Sequence, residues 1–98
     1  MICTSGIWTV KEGREEEFQR RWQETVDGLA ESHPELKFRL FRDSRNPQRF
    51  VSIGEGWRSA EHVESALAAP SYQDAMAGVW RVLDSGEITT LELVAEVS

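Results

Sequence analysis

Few side chains in this sequence are suited to chemistry, and those that are lie close together in its second half, between Gly54 and Met76, GEGWRSAEHVESALAAPSYQDAM. Trp57 and Tyr72 each join a large apolar body to one hydrogen-bond donor, a combination that holds a flat aromatic ligand by its face and by an oxygen. The alternative is a pair of core aromatics whose polar tips are satisfied internally. His62 has the intrinsic pKa of a general base at a pocket mouth; otherwise it is an exposed surface histidine. Its neighbour Glu61 diverges from it around a helix, which is poor geometry for a shared metal. The only other histidine is His33 and the only cysteine Cys3. Neither stands at ligand spacing, so no dedicated metal site is expected. No glycine-rich phosphate loop, nucleophile elbow or paired-carboxylate spacing occurs. Ser5, Ser52 and Ser59 have no partner base that sequence identifies.

These residues need elements to position them. A strand through Phe50, Val51, Ile53 and Trp57 hands over at Ser59, a fitting N-cap, to a helix with Val63 and Leu67 on its apolar side. Pro70 stops that helix. A second one, Ser71 to Leu83, shares a face among Tyr72, Met76, Val79, Trp80 and Leu83, and Gly86 breaks it. Trp57 and Tyr72 then stand near one end of a sheet, over one cleft. Upstream, Cys3 to Val10 reads as a strand and Gly13 as a turn. A helix from roughly Arg14 to Glu31 follows, with Phe18, Trp22, Val26 and Leu29 in one stripe. Glu16 with Arg20 and Glu17 with Arg21 are its i,i+4 pairs. His33, before Pro34, suits a helix C-terminus, where a cationic ring offsets the dipole. Leu36 to Arg42 alternates, and DSRNPQ turns it into a hairpin with Arg49 to Trp57. Gly54 and Gly56 suggest a bulge or a close backbone approach. Ile88 to Val97 reads as the last strand.

The order is βαββαβ, an α+β, ferredoxin-like arrangement with a four-stranded antiparallel sheet and helices on one face. The uncovered face matters. Leu91, Leu93, Ala95 and Val97 point one way in the last strand, while Val51, Ile53 and Trp57 oppose Phe50 and Ser52 in the third. An apolar second face asks for cover, and a second copy of the same sheet about a two-fold axis is the simplest one. A monomer with a partly apolar sheet is the alternative. Arg39 and Arg42 are expected to pair with Glu92 or Glu96 if those strands meet, directly or across the dimer; the alternative is an arginine that faces the pocket and holds a phenolate or carboxylate.

Composition narrows the partners. The chain is 98 residues with 40% hydrophobic side chains and four tryptophans, which predicts one folded domain over residues 1–98. A net charge of -6 without a basic stretch argues against nucleic acid and anionic membrane. One cysteine allows no intrachain disulfide and suits a reducing compartment. No signal-like start and no apolar run near the ~20 residues of a membrane span are present, so a cytoplasmic location is expected.

Three stretches, GIWTVKEGREEEFQRRW, FVSIGEGWRSAEHVESALAAPSYQDAM and LELVAEV, resemble the antibiotic-biosynthesis-monooxygenase family of small dimeric α+β barrels. The middle stretch is the most specific, because its tryptophan, helix start, proline break and aromatic follow the family order. The resemblance implies a homodimer whose sheets face each other, with a pocket between each sheet and its helices. Some members oxidise polycyclic phenols or anthrones with O2, without metal, flavin or haem. The resemblance therefore implies a cofactor-independent monooxygenase for an aromatic polyketide or similar phenolic compound. Trp57 and Tyr72 would donate hydrogen bonds to a substrate oxygen, with His62 as the base. A non-catalytic dimeric domain that binds a small aromatic or apolar ligand is the alternative. A haem-degrading branch shares the fold, but where it carries an iron-ligating histidine this chain has Met76, and its asparagine late in the first strand is replaced near Gly6. Haem oxygenation is therefore not expected, although a thioether can touch iron. Trp57 is common to both branches. Trp8, Trp22 and Trp80 are expected in the core.

Overall fold

The computed structural model describes residues 1–98. Its elements run β1 (Ile2–Val10), α1 (Glu15–Ser32), β2 (Lys37–Arg42), β3 (Arg49–Trp57), α2 (Ala60–Leu67), α3 (Pro70–Trp80) and β4 (Leu83–Glu92). The four strands form one antiparallel sheet in the order β2-β3-β1-β4. This is the ferredoxin-like arrangement that the element order predicts, with the second helical segment split in two at Pro70.

α1 forms because its apolar residues recur at helical spacing and three glutamates occupy its first turn, complementing the helix dipole. Its stripe of Phe18, Trp22 and Val26 packs with Met76 and Val79 of α3 onto Trp8, Val10 and Phe50 of the sheet. Leu29, Leu36, Trp57, Val63 and Ala66 form a second, smaller cluster at the other end. On the exposed side of α1, Glu17 takes both Arg14 and Arg21, at 2.5 and 2.8 Å. The hydrogen bonds from Arg14 and then Arg21 hold its carboxyl below the usual range. Arg20 pairs with Glu24 rather than Glu16, and such exposed pairs stabilise little.

A bulge decides where Trp57 goes. Strict alternation along β3 would put it on the face of Val51 and Ile53. Instead Gly56 adopts φ +98, the pairing with β1 slips between Ile2 and Thr4, and Trp57 turns to the helix-covered face at 6% exposure. A side chain at Gly56 would meet the Glu35 carbonyl as well as a strained backbone, so glycine is required there.

The C-terminal part differs from expectation. α3 ends at Trp80, and Val82 and Leu83 are buried where β4 begins, so Leu83 belongs to the strand and Gly86 lies inside it, opposite Trp8. The strand ends at Glu92 because its partner, β1, starts at Ile2, which faces Glu92. The ladder runs out of neighbour, and Val94 and Val97 are left 91% and 99% exposed despite their strand propensity. Trp80 is half exposed rather than core. β2 and β4 occupy opposite edges, so Arg39 and Arg42 cannot reach Glu92 within the chain. Arg42 lies over the Phe50 ring at 5.0 Å.

The uncovered face of the sheet carries a row of cross-strand partners, Phe41, Val51 and Ile7, with Ile53 and Leu91 nearby. Phe41 and Ile7 are exposed. No helix is long and apolar enough to cross a membrane.

Candidate functional site

Between the two core clusters lies a cavity floored by β1 and β3 and roofed by the helices. Thr4, Gly6, Trp8, Ser52, Gly54 and Trp57 line the floor; Trp22, Leu67, Tyr72 and Met76 are among the residues above it. Its volume is about 40 Å3, within about 440 Å3 of empty space that includes open solvent. That is room for a water, but a fused-ring ligand enters only if roof side chains swing outward.

The floor holds a repeated arrangement. The Trp8 indole N–H donates to Ser52 Oγ at 3.0 Å, and the Trp57 N–H donates to Thr4 Oγ1 at 3.2 Å. Ser52 faces Gly6 across the strands, and Thr4 faces Gly54. The glycines make room: a Cβ on Gly6 would lie 2.6 Å from the Ser52 hydroxyl, and one on Gly54 would lie 2.6 Å from the Thr4 hydroxyl. The Trp57 donor expected to face a ligand is therefore given to Thr4. Thr4 and Ser52 were not legible as site residues, because strand hydroxyls opposite glycines carry no recognised motif.

Tyr72 stands where α3 begins, positioned by Pro70 in the first turn. It lines the cavity and the adjoining groove between α1 and α3, and its hydroxyl has no protein hydrogen-bond partner. Burial pushes its pKa up to about 12, so the phenol stays a neutral donor over the whole physiological range.

His62 is elsewhere. It is buried at 7% exposure and is absent from the cavity wall, its ring standing edge-on to Trp57 at 5.2 Å between centroids. Ser59 caps α2 by accepting the His62 backbone N–H at 3.0 Å, as its place in the sequence predicts. The Arg58 N–H donates to His62 Nδ1 at 3.1 Å. On a neutral ring the proton then sits on Nε2, which donates to His33 Nδ1 at 3.2 Å. Burial first, then Arg58 and His33, hold the His62 pKa below its ordinary value. The structure thus brings Trp57 and Tyr72 to one cavity and places His62 behind Trp57.

Two donor sets bear on metals. His33, Glu35 and His62 hold ligating atoms within 4.8 Å of one another, an approach concealed in the sequence by the separation of 29 positions between the histidines. A cation there would need the lone pair of His62 Nε2, the nitrogen that carries the proton while Arg58 occupies Nδ1. In the cavity itself no histidine is present, and the one soft donor is the buried Met76 thioether, so no imidazole is available to haem iron.

Comparison with known proteins adds the family context. The sequence profile of a family described as antibiotic biosynthesis monooxygenase matches residues 1–78. The fold is similar to SnoaB, a cofactor-independent oxygenase from Streptomyces nogalater, at TM-score 0.85 and 18% identity, covering 98% of this chain and 95% of that one. It is similar to a conserved protein from Methanosarcina mazei Go1 at TM-score 0.79 and 14% identity, covering 92% and 89% of the two chains. An antibiotic biosynthesis monooxygenase crystal structure matches at TM-score 0.80 and 18% identity, covering 97% and 100%. At such identities the likeness concerns the fold. The search of curated proteins finds no significant match.

Proposed function

The chain belongs to the antibiotic biosynthesis monooxygenase family, and from that premise we propose that it is a cofactor-independent monooxygenase that oxidises a flat aromatic substrate, an anthrone-like or phenolic compound, with O2. The observation that carries this reading is the cavity: aromatic walls, a floor of hydroxyls and a neutral tyrosine donor, all at one place. For an anthrone, loss of one ring CH2 proton gives an enolate that reduces O2. The carbon keeps one oxygen atom as a new carbonyl, and the second CH2 hydrogen leaves with the other oxygen atom as water. One O2 is consumed for each quinone formed, and no outside reductant is required. The protein's part is to bind the rings, hold the enolate oxygen by hydrogen bonds and keep bulk water out.

In this reading Tyr72 donates to the substrate oxygen directly. Trp57 forms a wall and acts through Thr4. His62 positions Trp57; with both ring nitrogens engaged and no face on the cavity, it is badly placed to take a substrate proton. SnoaB, described as a cofactor-independent oxygenase, supports the reaction class by its fold alone. The working unit proposed is a homodimer, since the row of Phe41, Val51 and Ile7 leaves an apolar face that a second sheet would cover.

The test is the isotope balance with anthrone under 18O2. One labelled oxygen in anthraquinone per O2 consumed, above the rate of autoxidation, supports the reading. Binding of anthrone without labelled product makes the protein a binding domain instead.

A further inference from the structure

Thr4 and Ser52 hold buried hydroxyl groups whose hydrogen bonding is only half accounted for. Their residues are 7% and 8% exposed, and each oxygen accepts an indole N–H. Neither O–H finds an acceptor in the protein. The contrast is within the same cavity, where the Thr25 hydroxyl donates to the Arg21 carbonyl at 2.8 Å and is thereby occupied. A hydroxyl whose oxygen is occupied by a donor keeps its proton to give, and a buried proton without an acceptor is costly unless a water or a ligand takes it. The glycines opposite leave room for each hydroxyl and for a neighbouring ring, that of Trp8 over Gly6 and that of Phe38 over Gly54.

We infer that Thr4 and Ser52 are a pair of free donors that select ligands bearing acceptor oxygens, such as a quinone, a diketone or the enolate of an anthrone, over hydrocarbons of the same shape. Trp8 and Trp57 each take one lone pair of a floor hydroxyl and leave its proton free to donate, and Tyr72 adds a third donor from the roof. The register places Thr4 and Ser52 one diagonal step apart on neighbouring strands, roughly 7–8 Å between backbones, so that a flat molecule lying on the floor meets both. The inference rests on the cavity being the ligand site of the proposed oxygenase, but not on any turnover there.

Two soluble probes differ only in their carbonyls, 9,10-anthraquinone-2-sulfonate and anthracene-2-sulfonate. Equilibrium dialysis against the full chain is expected to show the quinone bound about tenfold or more tightly. Ser52→Ala, which strands the Trp8 N–H, should reduce that preference about fivefold, with the quinone weakened more than anthracene-2-sulfonate. Thr4→Val should act likewise; because it strands the Trp57 N–H and can unsettle the fold, Thr4→Ser serves as its partner and should restore the preference. Equal binding of both probes by the wild type, binding of neither, or a loss shared equally by both probes in Ser52→Ala would overturn the inference. The outcome is separable from the oxygenase reading: labelled product without a carbonyl preference defeats only this inference, and a carbonyl preference without product defeats only that reading.

Discussion

The two indoles on the floor make the same hydrogen bond in opposite settings. Trp8 is packed into the large cluster, with Phe18 at 6.1 Å and Trp80 at 6.2 Å between ring centroids. Trp57 belongs to the small cluster and leans on a polar support, His62 at 5.2 Å, itself hydrogen-bonded to His33 and Arg58. One end of the covered face is a core that happens to border a cavity. The other is a wall held by a hydrogen-bonded relay that titrates. The cavity lies where these two kinds of packing meet.

The largest test of that contrast is the energetic asymmetry itself. Phe50→Ala, in the large cluster at 2% exposure, should cost about 3–5 kcal/mol in urea unfolding, while Leu36→Ala in the small cluster should cost about 2 kcal/mol. Equal losses would mean that the two ends are one core.

Next in size is an alkaline effect. Because the Tyr72 pKa is raised to about 12 from its ordinary 10.0, the folded state holds the phenol proton more tightly than the unfolded chain. Its contribution is complete below pH 10 and fades as pH rises through 12, by at most about 2–3 kcal/mol. Tyr72→Phe should show a correspondingly shallower decline in unfolding free energy over this range, and an identical decline would place the hydroxyl in water.

Trp57→Phe removes the indole hydrogen bond to Thr4 and part of the ring volume of the small cluster, and should lower stability by about 1–2 kcal/mol. A loss matching that of Phe50→Ala would show Trp57 to be ordinary core.

The smallest effect is acidic. The depressed His62 pKa means that the unfolded chain takes up its proton first, so stability falls as pH drops below the ordinary histidine value of 6.5. The groups facing the ring are Arg58 and His33, which disfavour its charge, and Glu35, which favours it. The thermal midpoint should fall between pH 7.5 and 5.5, and less so in His62→Gln.

What was legible in the sequence follows from period and punctuation. Helical spacing in α1, the turn chemistry before Arg49, Ser59 as a cap and Pro70 as a break led to the elements and their order, because each is a local signal. The last strand was misplaced because apolar, β-branched residues from 88 to 97 report propensity, whereas the length of β4 is set by where β1 begins. Sequence places Trp57 at a cleft, but alternation puts it on the wrong face of β3; only the positive φ of Gly56 turns it over. The Thr4 and Ser52 hydroxyls and the His33–His62 pair depend on contacts across 53, 44 and 29 residues, which no local pattern records.

On the proposed reading, oxidation takes place in this cavity. The most direct test is initial O2 uptake with anthrone at neutral pH for the wild type, Trp57→Phe and Tyr72→Phe, with thermal midpoints in parallel. The account predicts uptake well above autoxidation in the wild type and a roughly tenfold to hundredfold loss in Tyr72→Phe. A smaller loss is expected in Trp57→Phe, with both variants folded. Uptake unchanged in both folded variants would contradict it and move the reaction out of this cavity.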